Sequence, residues 1–316
     1  MSTDLSSKVS IILLNYNGAE DTIACLQSLR EIYYNNYNIV IVDNASTDDS
    51  VKRIHHYLQS QSLVFNFYLS PNEAMQSQLS QTEFTLLQTE YNGGYGYGNN
   101  IGIRYALKYG SEYVLVLNND TVVDPGFLKP MVQMCEVDDT IGITSGKIYF
   151  YDRPDVFWFN GGKFNSLTSR IEHICFNKED IGQKPPEENT FITGCMWLIP
   201  GRMFEKVGFI TEEYFMYVED IEYCHRVLKQ GFTLKVSEKS RIWHKIGGAT
   251  DSQLSPFRVY MMSRNLVIFI KLHFTVFRFC IAMTYTFISR SIRWIKTNNI
   301  PLLKSHVRGM IDGLIH

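Results

Sequence analysis

Five short stretches of this 316-residue chain hold residue types whose spacing suits chemistry. Asp43 follows the apolar run Ile39–Val42 and is flanked by Asn44 and Ser46. A carboxylate there can accept a hydrogen bond from a base N–H, or it can cap a helix that begins near Asp48 or Asp49. Asn118-Asn119-Asp120 ends the run Tyr113–Leu117. An acid at the carboxyl end of a buried strand can hold a divalent metal against a diphosphate, since both supply hard oxygen ligands, or it can simply be solvated in a loop. Asp124, just before Pro125, reads as a helix N-cap. Phe215-Met216-Tyr217-Val218-Glu219-Asp220-Ile221-Glu222 places three carboxylates at a helix start, where the helix dipole favours them. Asp220, beside apolar neighbours and a second carboxylate, also suits a general base. Trp243-His244-Lys245, followed by Gly247-Gly248, reads as a lone histidine in a turn, structural by default and a nitrogen ligand if a metal is present. Finally, Asn92-Gly93-Gly94-Tyr95-Gly96-Tyr97-Gly98 fails the GxGxxG spacing and lacks a Walker lysine, which leaves a flexible glycine loop near a ligand or a plain turn.

The elements that must carry these residues alternate. Val9–Leu14 is a buried parallel strand ending at Asn15-Tyr16-Asn17-Gly18, and Ala19 to Arg30 has helical spacing of Ile23, Leu26 and Leu29. Ile39–Val42 is a second strand, Asp49 to Leu58 a helix, Phe84–Leu87 a strand, Asn100 to Tyr109 a helix and Tyr113–Leu117 a strong strand. Such alternation implies a parallel sheet whose polar loops share one edge, where open α/β sheets bind their ligands. Residues 149–190 read as an elaborated surface, mobile or substrate-facing. Phe191–Pro200 resumes a strand, Glu219–Gln230 is a helix stopped by Gly231, and Phe232–Val236 is a further strand.

A hydrophobic fraction of 45% supports a large core, and a net charge of −2 predicts no nucleic-acid partner. That sum hides an asymmetry: residues 256–316 carry nine Lys or Arg against Asp312 alone, so the tail is +8 and the body −10. Two apolar runs in the tail, Leu266–Ile270 and Phe274–Ile288, are too short to span a bilayer. They read as a helical cap on residues 1–255, as an amphipathic basic helix on an anionic membrane surface, or as a homodimer contact. Six cysteines without CxxC spacing and a polar, Ser-rich start suggest reduced thiols in a cytoplasmic chain, free or peripheral on the inner face of the membrane.

In this order, Val9–Gly18, Ile41–Ser46, Asn92–Gly102, Leu117–Asp124, Gly194–Asp220 and Trp243–His244 together resemble family 2 glycosyltransferases of the GT-A fold, especially the rhamnosyltransferase-like branch. The resemblance spans about residues 9–270. It implies a nucleotide-sugar-binding half near 9–124, with Asn15, Tyr16 and Asn17 lining the nucleotide pocket, Asp43 on the pyrimidine, and Asn92, Asn100 and Asn119 bordering the donor. It further implies an acceptor and catalytic half near 125–255. Asp120 from the first half and His244 from the second would bind Mg²⁺ or Mn²⁺, Asp220 would act as catalytic base supported by Glu219, and Arg226 would steady the carboxylates. The implied reaction is a single inverting, non-processive transfer from a UDP- or dTDP-sugar to a saccharide or lipid-linked saccharide of the cell envelope. Three positions depart from the family pattern: Asn118 at the first acid of DxD, Ile210-Thr211-Glu212 where Phe-Asp-Glu is common, and Arg290 where QxxRW needs Gln. The competing expectations are a sugar-nucleotide nucleotidyltransferase, disfavoured because Asn15-Tyr16-Asn17-Gly18 is not a basic glycine-rich loop, and an inactive scaffold of the same fold.

Overall fold

The computed structural model describes residues 6–245 and 255–316. The first half runs β1 (Val9–Asn15), α1 (Ala19–Leu29), β2 (Tyr37–Asp43), α2 (Ser50–Ser60), β3 (Phe65–Tyr68), α3 (Pro71–Gln76), β4 (Phe84–Gln88), α4 (Gly94–Lys108) and β5 (Tyr113–Asn118). Then come β6 (Thr121–Val123), α5 (Leu128–Val137), β7 (Ile141–Phe150), β8 (Phe157–Phe159), β9 (Gly162–Asn165) and β10 (Arg170–His173). These lead to β11 (Met196–Pro200), α6 (Arg202–Lys206), α7 (Glu219–Lys229) and β12 (Thr233–His244), and the chain ends with α8 (Pro256–His273), α9 (Val276–Lys296) and α10 (Ile300–Ile315).

One sheet organises the body, in the order β3-β4-β2-β1-β5-β11-β7-β12-β6, with β8 added on β7. The first five strands are parallel, as the alternation predicts. The inner residues of β1, β2 and β5 are almost wholly buried, which is why they are continuous apolar runs: a sheet covered on both faces leaves no polar side. Beyond β5 the sheet turns mixed. Strand β11 runs antiparallel to both β5 and β7, β12 is parallel to β7, and β6 is antiparallel to β12. Register then places Asn15 beside Asp43, and Leu14 beside Asn118, at one sheet edge.

The glycine-rich stretch is a helix, not the loop expected of it. Helix α4 starts at Gly94, and a Cβ at Gly98 or Gly102 would stand 2.2 Å from Leu14 Cδ1 or 2.6 Å from Ile12 Cγ2. The glycines therefore let α4 lie directly on β1. His244 likewise ends the 12-residue strand β12 rather than sitting in a turn, while Gly247 and Gly248 lie outside the described residues. Asp124 does not cap α5. Its Oδ1 accepts the Gly126 N–H, and its Oδ2 pairs with Arg241. Residues 149–190 supply β8 and the separate β9–β10 hairpin, tied to β7 where Asp180 accepts from Lys147 and Tyr149. The change of composition at residue 256 does not mark the edge of the core, because Leu266–Ile270 of α8 are buried in the main cluster.

Candidate active site

At the carboxyl edge of the parallel strands, Asn15 and Asp43 form one buried unit. The Asn15 amide donates to Asp43 Oδ1 at 2.7 Å, the Ser46 hydroxyl donates to the same oxygen at 2.6 Å, and the Ser46 N–H reaches Oδ2 at 3.0 Å. Asn15 Oδ1 accepts from Thr22, whose hydroxyl in turn accepts from the Asn119 amide at 2.9 Å. Asn119 thus ties the end of β5 back to the start of α1. Asn17, at φ 52°, accepts the Thr47 N–H and leaves its neighbour Tyr16 exposed at the rim. Asn92 accepts from Asn44 and from the Gly94 N–H, fixing the start of α4 against β2. Asn100 faces elsewhere: buried in α4, it exchanges hydrogen bonds with the backbone of Ile210 and donates to Glu212.

A few residues on, a cavity of roughly 250 Å³ is lined by Asp120, His244, Glu219, Asp220, Trp158 and Arg258 among others. His244 Nε2 lies 3.1–3.2 Å from both Asp120 oxygens, and Trp158 packs edge-on against the imidazole at 4.6 Å. Across the cavity, Asp220 accepts the N–H of Ile221 at 2.9 Å and of Gly194 at 3.3 Å. Tyr95, whose hydroxyl donates to the Gly194 carbonyl, stands beside both acids. Arg226 does not steady Asp220 as its position suggested. It pairs with Glu222 at 2.7 Å and donates to the carbonyls of Val207 and Phe209, because six residues carry it past Asp220 around the helix.

The acids are presented by a strained turn. Phe215, Tyr217 and Val218 all have positive φ, at 60°, 70° and 78°, and for a β-branched residue this is a true outlier. Such residues cost about 1–3 kcal/mol each and persist only where their surroundings over-determine them. Two clamps do so here. The Asn265 amide nitrogen of α8 lies 2.8–2.9 Å from the carbonyls of Tyr214, Met216 and Tyr217. From the other side the Tyr95 N–H donates to the Phe215 carbonyl, at a closeness that only Gly94 permits, since a Cβ there would meet that oxygen at 2.1 Å. Neither clamp was expected from the sequence; the glycine at the head of α4 was visible, but its partner lies more than a hundred residues away.

Burial raises both carboxyls above their ordinary range, and the charge of Asp220 raises Glu219 further. The two are not equivalent. Backbone N–H groups favour ionised Asp220, whereas Oε2 of Glu219 is buried without a hydrogen-bond donor, so Glu219 is the member that holds the proton. Glu222 moves the other way: His273 and Arg226 hold it below the usual carboxylate range despite burial.

The chemistry of the donor set suits a divalent ion. A carboxylate and an imidazole meet side by side at the cavity wall, a pair that would suit a divalent ion whose shell phosphate oxygens and water complete. Among the described residues no group of three such ligands occurs.

Two family models match the chain: "Glycosyl transferase family 2" over residues 10–208 and "Glycosyl transferase family group 2" over residues 113–308. The chain is similar to the dTDP-rhamnosyl transferase RfbF of Shigella flexneri, at 23% identity over 98% of this chain and 96% of that protein. It is similar to the low-salt glycan biosynthesis hexosyltransferase Agl10 of Haloferax volcanii, at 22% identity over 72% of this chain and 73% of that protein. Among solved structures, a mannosyltransferase from Pyrobaculum calidifontis, in complex with GDP-Man and Mn²⁺, superposes with a TM-score of 0.58 at 14% identity, covering 99% of this chain and 78% of that one.

Proposed function

The chain belongs to glycosyl transferase family 2 and is a GT-A-fold glycosyltransferase of glycan synthesis, and from this premise we propose that it moves one sugar, by a single inverting displacement, from a dTDP- or UDP-sugar to a hydroxyl of a saccharide or lipid-linked saccharide. Asp220 takes the proton of the acceptor hydroxyl. The freed oxygen attacks the anomeric carbon from the face opposite the nucleotide, the bond to the diphosphate breaks, and the nucleoside diphosphate leaves with the electron pair. The observation that carries this reading is the pairing, in one cavity, of Asp220, which accepts the N–H groups of Ile221 and Gly194, with Glu219, whose Oε2 is buried without a donor; this favours one ionised base and one spectator acid. Asn15, Asp43 and Asn92 would shape the nucleotide pocket, with Tyr16 and Asn17 at its rim and Asn119 bracing the adjoining β5 end. Asn100 would act more remotely, by holding Ile210 and Glu212. Mg²⁺ or Mn²⁺, held by Asp120 and His244, would supply positive charge against the departing diphosphate.

The dTDP donor is named for the Shigella relative, and a GDP sugar for the Pyrobaculum structure. A screen of purified protein against dTDP-, UDP- and GDP-sugars, following nucleoside diphosphate release with and without Mn²⁺ and with added acceptor saccharides, decides among them. Metal-dependent release from one donor, reduced about 10²–10⁴-fold in Asp220→Asn, is expected. Absence of release together with absence of calorimetric binding by every nucleotide sugar would establish the inactive scaffold instead.

A further inference from the structure

Helix α9 turns one face to its own fold and the opposite face to solvent. Ala282, Met283, Thr286 and Trp294 are buried, whereas Phe277, Ile281, Ile288, Ile292 and Ile295 are between 39% and 74% exposed. At about 100° per residue the exposed set forms one stripe, roughly opposite the buried set. Contiguous exposed apolar surface of this kind marks an interaction site rather than ordinary surface. Arg278 and Lys296 flank the stripe on one side, with Arg293 a little further round, and all three side chains are exposed.

The charge of these helices selects the occupant. Residues 256–316 sum to +8, so a second copy docked with its own α9 against this one would bring like charge against like. An anionic surface is complementary. Among the described residues no helix is long and apolar enough to cross a membrane, so the stripe suits lying on a bilayer, with its apolar side chains at the acyl boundary and its cations among the headgroups. The position of α9 also fits. A groove runs between Tyr285 of α9 and the β9–β10 hairpin, lined by Lys163 and Arg170 and by Glu172 and Glu188, while Ile171 and His173 of the same hairpin line the catalytic cavity.

We propose that α9 seats the protein on an anionic lipid surface, with the groove beside Tyr285 leading a membrane-anchored saccharide toward Asp220. The seating stands on α9 alone; only the groove's role rests on the transferase reading. The test is sedimentation of the full chain with vesicles of phosphatidylcholine, with and without phosphatidylglycerol. Binding about tenfold stronger to the anionic vesicles, weakened by salt, is expected. Ile288→Glu with Ile295→Glu should lose that binding about tenfold, as should Arg278→Glu with Lys296→Glu, while thermal unfolding and hydrolysis of the nucleotide sugar stay unchanged. Equal or absent binding to both vesicle types would overturn the proposal, as would light scattering that shows a dimer dispersed by the Ile288→Glu and Ile295→Glu pair. A chain that binds vesicles yet neither turns over nor binds any nucleotide sugar would sink the transferase reading and leave the membrane seat intact.

Discussion

Glu219 and Asp220 share one buried site, and their raised pKa values have consequences of opposite sign for activity and stability. Only ionised Asp220 can accept a proton, so the rate is expected to climb as pH rises through the apparent pKa values of the pair. Glu219 keeps its proton while Asp220 ionises, so Glu219→Gln removes no charge and should leave that limb in place in a kcat/KM profile. Stability runs the other way. A carboxyl whose folded pKa is raised contributes fully below its unfolded pKa and loses that contribution as pH rises through the folded value. Asp220→Asn should therefore raise Tm by a few degrees at neutral pH and above, with little change in acid, while activity collapses. Asp120 and the acid pair were legible in the sequence because each sits beside a strand end or helix start that the hydrophobic pattern locates, whereas His244 read as a turn residue because the polar stretch 237–241 hides the second half of β12. The direction of Asn100 was not, since which face of α4 it occupies depends on glycines packing that helix against β1.

The turn between the 3₁₀ segment Glu212–Tyr214 and α7 is held by elements far away in the chain, and this is where function depends on architecture. Asn265 is a positioning residue in this arrangement. Its loss to Ala removes hydrogen bonds worth about 0.5–1.5 kcal/mol each and frees a backbone that is under strain. We expect kcat to fall about 10–100-fold with donor KM nearly unchanged, and the pH profile to shift as Asp220 moves relative to the Gly194 and Ile221 N–H groups. Asn265→Asp should not rescue, because a carboxylate cannot donate to three carbonyls. A normal pH profile in Asn265→Ala would reduce the residue to a structural role. The hydrophobic pattern made β1, α1, β2, β5 and α7 readable. It missed β3, an edge strand whose burial alternates over four residues, and β7, whose Gly142 and Gly146 interrupt the apolar run; there the Cβ positions are taken by Val227 and by the Ser240 backbone.

At the scale of the molecule, the acidic body and the basic helices share one core. Because Leu266–Ile270 belong to the main cluster, a chain truncated after residue 255 should expose that surface. Loss of cooperative unfolding, or aggregation on expression, is expected, whereas truncation after His273 should keep the main-core part of α8 and retain a cooperative transition. The placement of β11 bears also on how the protein is made. The five parallel strands are complete at Asn118, yet the open edge of β5 is covered only by residues 196–200. At about 5–20 residues per second, the ribosome leaves that edge waiting for roughly 4–16 s, an interval in which an unpaired apolar strand is open to other nascent chains. Stalled chains ending near residue 150 should therefore crosslink to holding chaperones along β5, and chains long enough to expose β11 should not.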